Sequence, residues 1–407
     1  MRFMSFEWTK SRAGPTVSGV VTRDQPSRRR ERTRRLLLRE VHGRGAVSRA
    51  ELESATGLSR SAVAAGVTDL LAARLIEEDQ ASSAPPNGRG RRAALLFPAR
   101  REGYVAGIDF GHTHVRVAVA DTSGQVAAED VQAIDVDHDA AVALDQAARL
   151  VTALLSRAGI GHAELLAVAA GIPGPLDHRR KVVISPTILG SWIDFAPAAE
   201  LGCRLGREVL IGNDADMGAI GEKRFGAARG YTDFLYIKAS HGIGASVVTG
   251  GRCYRGSRGF AGEIGHTQLP GALGRCRCGN RGCLESVISV TEVRRQLAST
   301  HLRAGPAGEP ALADVARDPV GARVLADAGR LVGRVVADGC NWLNPEAVIL
   351  GGELGVCGPF TEGVSESLYR YAQPATAEAV TVGIAGLGSR AEVMGAVAVA
   401  AEQCSVS

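Results

Sequence analysis

From Tyr104 onward the chain alternates short apolar runs with helical stretches, an order that few folds accept. YVAGIDF, VRVAVAD and QVAAEDVQAID follow one another across GHT and TSG turns, and LLAVAAGI, REVLIGND, DFLYIKAS, ASVVTGG, AVILGG and TVGIAG come later between helices. Near-continuous apolar strands interleaved with helices predict buried sheets in an α/β architecture. A long helix is expected from about His138 to Arg157. Strand–turn–strand beginnings around Asp109 and around Gly242 suggest two similar lobes facing each other.

The first hundred residues do not share this pattern. Residues 1–26, with Gly, Pro, Ser and Thr but no apolar periodicity, are expected to be a disordered tail. SRRRERTRRLLLREVHGRG reads as a helix with a basic start and apolar Leu36, Leu37 and Val41, ending at Gly43 or Gly45. Ser48, with Glu51 three residues on, forms a capping box for a second helix that stops at Gly57. Ser59 then caps RSAVAAGVTDLLAARL, where Val63, Val67, Leu70 and Leu71 fall at helical spacing. IEEDQ, the turn SSAPPNGRGRR and AALLF complete a two-stranded wing tipped by Arg89, Arg91 and Arg92. Helix, Gly turn, second helix and basic hairpin are the layout of a winged helix-turn-helix over 27–99, with Ser59, Arg60 and Ser61 first to meet bases or phosphates. Ala62, Ala64, Ala65 and Gly66 leave few side chains able to read bases, so specificity leans on Arg60, the wing arginines and DNA shape.

Charge agrees with that division. Residues 1–103 hold 20 Lys and Arg against 11 Asp and Glu, and residues 104–407 hold 27 against 32. A basic module on an acidic body is the layout expected when the module meets a polyanion such as duplex DNA. No run of about 18 uncharged apolar residues offers a membrane span, and the start MRFMSFEWTKSRAGPTVSG lacks the apolar core of a secretory signal. A cytoplasmic protein is expected.

In a reducing compartment the eight cysteines are not expected to pair as disulfides, so the cluster CRCGNRGCLES points to a metal. Cys276, Cys278 and Cys283 supply three thiolates and the upstream His266 an imidazole. Together they make a closed tetrahedral zinc set, structural because protein fills every position. Gly274, Gly279 and Gly282 let the loop wrap the ion. Glu263 and Glu285 flank the set, well placed to bind neighbouring hydroxyls of a polyol. Cys203, Cys253, Cys340, Cys357 and Cys404 show no partner spacing.

Three further motifs belong to a cleft. Asp109 ends a strand ahead of Gly111 and Thr113, which can place N–H groups and a hydroxyl round a phosphate. Gly242 and Gly244 repeat the arrangement in the second half. Asn213 and Asp214 close REVLIGND, where a carboxylate faces the cleft of an α/β fold and can act as general base towards a hydroxyl. A helix cap explains Asp214 equally well.

Taken together, ELESATGLSRSAV, IDFGHT, GIPGPLD, GND, GIGASVVTGGRCYRGSRGFAGEIGH, CRCGNRGCLE and VILGGE resemble the ROK family of repressors, open reading frames and kinases, over nearly all of residues 45–400. The resemblance implies an actin-like, two-lobed sugar-kinase fold, with 100–214 plus 390–407 as the small lobe and 215–389 as the large lobe carrying a structural zinc. It places the sugar on Asn213, Asp214, Glu263, His266 and Glu285, with Asp214 the catalytic base in kinase members. His266, Cys276, Cys278 and Cys283 match the zinc ligands. The phosphate loops depart from the kinase members: His112 stands in DxGGT, His241 in GTGIG, and Gly351-Gly352-Glu353 replaces GGG.

Gly in a phosphate cradle permits close approach of backbone N–H groups, and imidazoles fill that space. The leading expectation is therefore a sugar-responsive repressor, a homodimer or tetramer on operator DNA. The alternative is an ATP-dependent hexose or N-acetylhexosamine kinase, with Asp109 positioning Mg²⁺ and Gly111, Thr113, Gly242, Gly244, Gly351 and Gly352 around ATP. A third reading is a chromosome-associated or partner-binding protein with a vestigial cleft.

Overall fold

The computed structural model describes residues 26–44, 46–73, 75–79, 94–99, 102–177, 182–184, 189–193, 195–304 and 308–406. Arg89, Arg91, Arg92 and the tail up to residue 25 lie outside the described residues. The chain separates into two compact units, Met1–Pro98 and Ala99–Ser407.

The first unit contains α1 (Pro26–Arg44), β1 (Val47–Ser48), α2 (Arg49–Thr56), α3 (Arg60–Ala72), β2 (Ile76–Asp79) and β3 (Leu95–Pro98). Ser48 caps α2 through the expected box: its N–H donates to Glu51 Oε2 at 2.7 Å, and the Glu51 N–H donates to the Ser48 hydroxyl at 3.3 Å. Gly57 ends the helix at φ 66°, the left-handed conformation glycine adopts without Cβ strain. Ser59 caps α3, accepting from the Ala62 N–H at 3.3 Å. Leu37, Leu52, Val63, Val67, Leu70 and Leu96 bury together, so each helix contributes its apolar stripe to one core. The strands pair in the order β1-β3-β2.

The second unit begins with β4 (Tyr104–Phe110), β5 (His114–Asp121), β6 (Val126–Ala133), α4 (Ala140–Arg157), β7 (Leu165–Ile172), the short β8 (Leu176–Asp177) and β9 (Val182–Val183), α5 (Pro197–Leu205), β10 (Val209–Asn213) and α6 (Asp214–Phe225). It continues through β11 (Phe234–Ala239), β12 (Ile243–Thr249), β13 (Arg252–Tyr254), α7 (Glu285–Ile288), α8 (Val290–Leu297), α9 (Leu312–Val315) and α10 (Pro319–Leu343). Last come β14 (Ala347–Gly351), α11 (Gly352–Gly355), α12 (Gly358–Tyr371), α13 (Pro374–Ala379), β15 (Thr381–Ile384) and α14 (Ala391–Val406).

Two five-stranded sheets result, in the orders β10-β7-β4-β5-β6 and β13-β12-β11-β14-β15. Each holds an antiparallel meander, β4–β5–β6 and β11–β12–β13, extended on the side of its first strand by parallel strands. Helix α4 buries Ala140, Ala143, Leu144, Ala147, Leu150 and Val151 at 3–4-residue spacing against one face of the first sheet. Val393, Ala396, Val397 and Ala400 of α14 pack on the opposite face, while α10 and α12 share a core with the second sheet.

Helices α6 and α14 approach each other through backbone. A Cβ added at Gly395 would lie 1.7 Å from the Met217 carbonyl oxygen, and one at Gly221 would lie 2.2 Å from that of Ala391. Neither obstacle is a side chain able to turn away. Gly395→Ala is therefore expected to cost about 3 kcal/mol or more, read as a lower urea midpoint. Gly358→Ala, with nothing near its added Cβ, serves as the near-neutral control.

Candidate functional site

A cleft of about 940 Å³ opens where the C-terminal ends of β4, β10 and β11 meet the loops before β12 and after β13. Asn213, Asp214, Glu263, His266 and Glu285 all line it. Asn213 is the N-cap of α6: its Oδ1 accepts from the N–H groups of Ala215 (2.9 Å) and Asp216 (3.3 Å), and its Nδ2 donates to the Gly174 carbonyl at 3.1 Å. The cap is thus Asn213, and Asp214 is the first helical residue. Asp214 Oδ1 accepts from the Ala215 N–H at 2.8 Å and its Oδ2 from Lys238 Nζ at 2.9 Å. Glu285 Oε2 accepts from the Ile243 N–H at 3.1 Å. Burial, with Asp214 and Glu285 close by, pushes the Glu263 carboxyl up to about 7.

At the other end, Asp109, Gly111, Thr113, Gly242, Gly244 and Gly352 also line the cleft, whereas an added Cβ at Gly351 would meet the Tyr236 ring and hydroxyl. Three imidazoles and a serine hydroxyl here face carboxylates of the same chain. His112 Nδ1 lies 2.7 Å from Asp137, His114 Nε2 3.1 Å from Asp109, and His241 Nδ1 3.3 Å from Glu353. The Ser240 hydroxyl donates to the same Glu353 oxygen at 3.2 Å. The His114 ring lies against Gly111, where a Cβ would come within 2.2 Å, and His112 Nε2 is 3.5 Å from a Cβ at Gly242. His112 and His241 stand out in the sequence, but the second ring against a glycine belongs to His114. Asp109 is buried, and its Oδ1 has no hydrogen-bond partner among the described residues.

His266, Cys276, Cys278 and Cys283 bring one ligand atom each within 4.8 Å of one another. Cys278 Sγ and Cys283 Sγ are 3.7 Å apart, as are Cys276 Sγ and His266 Nδ1. A tetrahedron with metal–sulfur bonds of about 2.3 Å has edges of roughly 3.8 Å, so the cage fits a metal of that preference. Without an ion, burial and the Cys278 and Cys276 thiols push Cys283 up to about 12; a cation is what makes such a site a set of thiolates. His266 turns Nδ1 to the cage and Nε2 towards Glu263 Oε2, 3.7 Å away, so one ring serves both cage and cleft.

Several cleft residues were not singled out from sequence. Lys238, Glu392 and His114 line it. Arg277, between two cage cysteines, reaches Asp137 at 3.5 Å and Glu285 at 3.7 Å. Arg258 pairs with the buried Asp177 at 2.9 Å. A lysine inside the apolar run DFLYIKAS was the available signal, because a buried ammonium requires partners; Arg277 with Asp137 and Arg258 with Asp177 join residues far apart in sequence.

In the first unit, Ser59, Arg60 and Ser61 sit exposed at the start of α3. The Ser59 hydroxyl is occupied as cap, with Ser61 Oγ 3.1 Å from it, which leaves Arg60 the long donor of that turn.

The family model described as ROK family matches residues 105–403. The chain belongs to the ROK family. It is similar to the xylose repressor of Bacillus subtilis (strain 168), 29% identical over 317 residues that span 78% of this chain and 80% of that repressor. A ROK glucokinase from Streptomyces griseus, solved with glucose and AMPPNP, superposes with a TM-score of 0.64 at 26% identity, covering 73% of this chain and 99% of the kinase. A ROK family transcriptional regulator, a homologue of the E. coli MLC protein, superposes with a TM-score of 0.70 at 23% identity over 93% of this chain and 96% of the regulator, a likeness of fold. The second unit thus has the two-lobed ROK sugar-kinase fold. Among the described residues no helix is long and apolar enough to cross a membrane.

The cage makes a direct prediction. Purified protein should carry one equivalent of metal per chain by inductively coupled plasma mass spectrometry, and Cys278→Ser should carry less than about a tenth of it.

Proposed function

We propose that this protein is a cytoplasmic, sugar-responsive transcriptional repressor, with the helix-turn-helix of 27–99 on operator DNA and a sugar in the cleft of the ROK body. The observation that carries the reading is the state of the phosphate end of the cleft: His112, His114, His241 and Ser240 each face an internal carboxylate. A nucleotide phosphate arriving there would have to displace those pairs and then lie beside Asp109, Asp137 and Glu353. Anion binding needs unpaired donors, and like charge at this distance opposes it. Asn213, Asp214, Glu263, His266 and Glu285 remain together at the other end, which supports binding of a neutral polyol.

Zinc is the metal proposed for His266, Cys276, Cys278 and Cys283. Bound there, it would act structurally, holding the loop that carries Arg277 and leads into Glu285. Arg60, Ser61 and the wing residues Arg89, Arg91 and Arg92 are proposed to contact DNA. A homodimer or tetramer would present two such modules to a two-fold operator. The body is proposed to divide into 100–214 plus 390–407 and 215–389, so that sugar acts on the angle between these lobes. Sugar can shift operator binding only if it binds one lobe arrangement better than the other.

Kinase activity is the second reading, kept open by Asp109 Oδ1 and by Asp214 at the cleft. It would need Mg²⁺ and ATP at the phosphate end, where Asp109 would hold the ion and Asp214 would take a hydroxyl proton.

Fluorescence anisotropy with a promoter fragment from the protein's own locus tests the repressor. Specific binding at near-physiological salt is expected, weakened by D-xylose, D-glucose or N-acetyl-D-glucosamine. Arg60→Ala should weaken operator binding by about 1–3 kcal/mol. Glu285→Gln should bind DNA like the parent and lose the sugar response. A coupled ADP-release assay over the same sugars should show no turnover; turnover abolished by Asp214→Asn would instead establish the kinase.

A further inference from the structure

Lys238 ends a row of side chains on one face of β11. Phe234 and Tyr236, at the same period of two, are fully buried, and Lys238 emerges where that face reaches the cleft floor. Its Nζ lies 2.9 Å from Asp214 Oδ2 and 3.6 Å from Glu392 Oε1, with Asp109 close enough to add to the field. These carboxylates raise the ammonium's pKa despite its burial. Glu392 also accepts from the Tyr236 hydroxyl at 3.2 Å. Asp214 opens α6 and Glu392 lies in the first turn of α14, the two helices that cross through Gly221 and Gly395. One ammonium therefore holds a ligand-facing carboxylate on one crossing helix and a buried carboxylate on the other.

We propose that Lys238 is a positioning residue: it fixes Asp214 as an acceptor for a sugar hydroxyl and, through Glu392, links occupancy of Asp214 to the set of α14 against α6. The inference rests on the sugar-receptor reading above. A hydroxyl donating to Asp214 shares the carboxylate with Lys238. The ammonium then moves towards Glu392, and a helix pair in backbone contact has no slack in which to absorb that shift.

The test uses the full-length, metal-loaded protein in two arms. In the sugar-free arm, hydrogen–deuterium exchange is compared between the parent and Asp214→Asn, which removes the charge facing Lys238. Exchange at residues 391–395 should rise at least threefold, and protection equal to the parent there overturns the proposal. In the second arm, D-xylose, D-glucose and N-acetyl-D-glucosamine are titrated against Glu392→Gln and Lys238→Met. Glu392→Gln should keep sugar Kd within about twofold while the sugar-induced loss of operator binding falls at least fivefold. Lys238→Met should weaken sugar binding at least tenfold. An unchanged operator response in Glu392→Gln, or unchanged sugar affinity in Lys238→Met, overturns the proposal. Should Lys238→Met not fold, the exchange measurement and Glu392→Gln decide. If none of the sugars binds the parent but the exchange change occurs, the linkage stands and the sugar reading alone fails.

Discussion

The crossing of α6 and α14 sets the geometry on which the cleft depends. Gly221 and Gly395 let two helix backbones touch, and α14 is pressed in turn onto β4, where a Cβ at Gly107 would lie 2.4 Å from the Val393 carbonyl. Residues from both sheets are thereby drawn over one axis: Asp214 enters from the end of β10, Lys238 from β11 and Glu392 from the start of α14. A methyl group at the crossing would separate them by more than a hydrogen bond tolerates. Side chains that lie up to 178 residues apart in sequence (Asp214 to Glu392) therefore meet because residues without side chains allow the approach.

Above that axis the two ends of the cleft follow opposite electrostatic rules. At the end that carries Asp109 and Glu353, imidazoles and a serine hydroxyl face carboxylates of the chain itself, so the desolvation cost of those carboxylates is offset internally. At the other end, Asp214, Glu263 and Glu285 gather beside the His266 ring on the cleft wall. Burial and two carboxylate neighbours raise the pKa of Glu263. Hydroxyl groups can donate to such carboxylates.

Much of this was legible in the sequence. The strand runs, the long helix, the capping box at Ser48 and the cap at Ser59 are local, and local propensity and periodicity report them. The cage was legible because three cysteines within eight residues and a nearby histidine carry their chemistry in their spacing. The ion pairs were not. Arg277 with Asp137, Arg258 with Asp177, and Lys238 with Glu392 each join distant segments, and nothing in a run of residues states its partner. His114 escaped notice for a related reason: strand alternation, with a close approach to Gly111, turns it onto the cradle, and motif spacing does not encode that.

Arg277 and Arg258 give the cage loop and the loop before it a further role. Both arginines lie on the side of the cleft that carries Glu263 and Glu285, and both pair with aspartates from the β4–β10 side. A loop of glycines and polar residues would lose several kcal/mol of conformational entropy in holding a guanidinium across a cleft. A metal held by the four cage side chains would meet that cost once, through coordination, and would leave the Arg277 side chain to make its contacts from an ordered backbone. The bridge then opposes separation of the two sides without adding a rigid wall. At 3.5 Å and partly exposed, the Arg277–Asp137 pair is weak enough to break, as the proposed receptor would require if ligand binding is to select between two lobe arrangements of similar free energy.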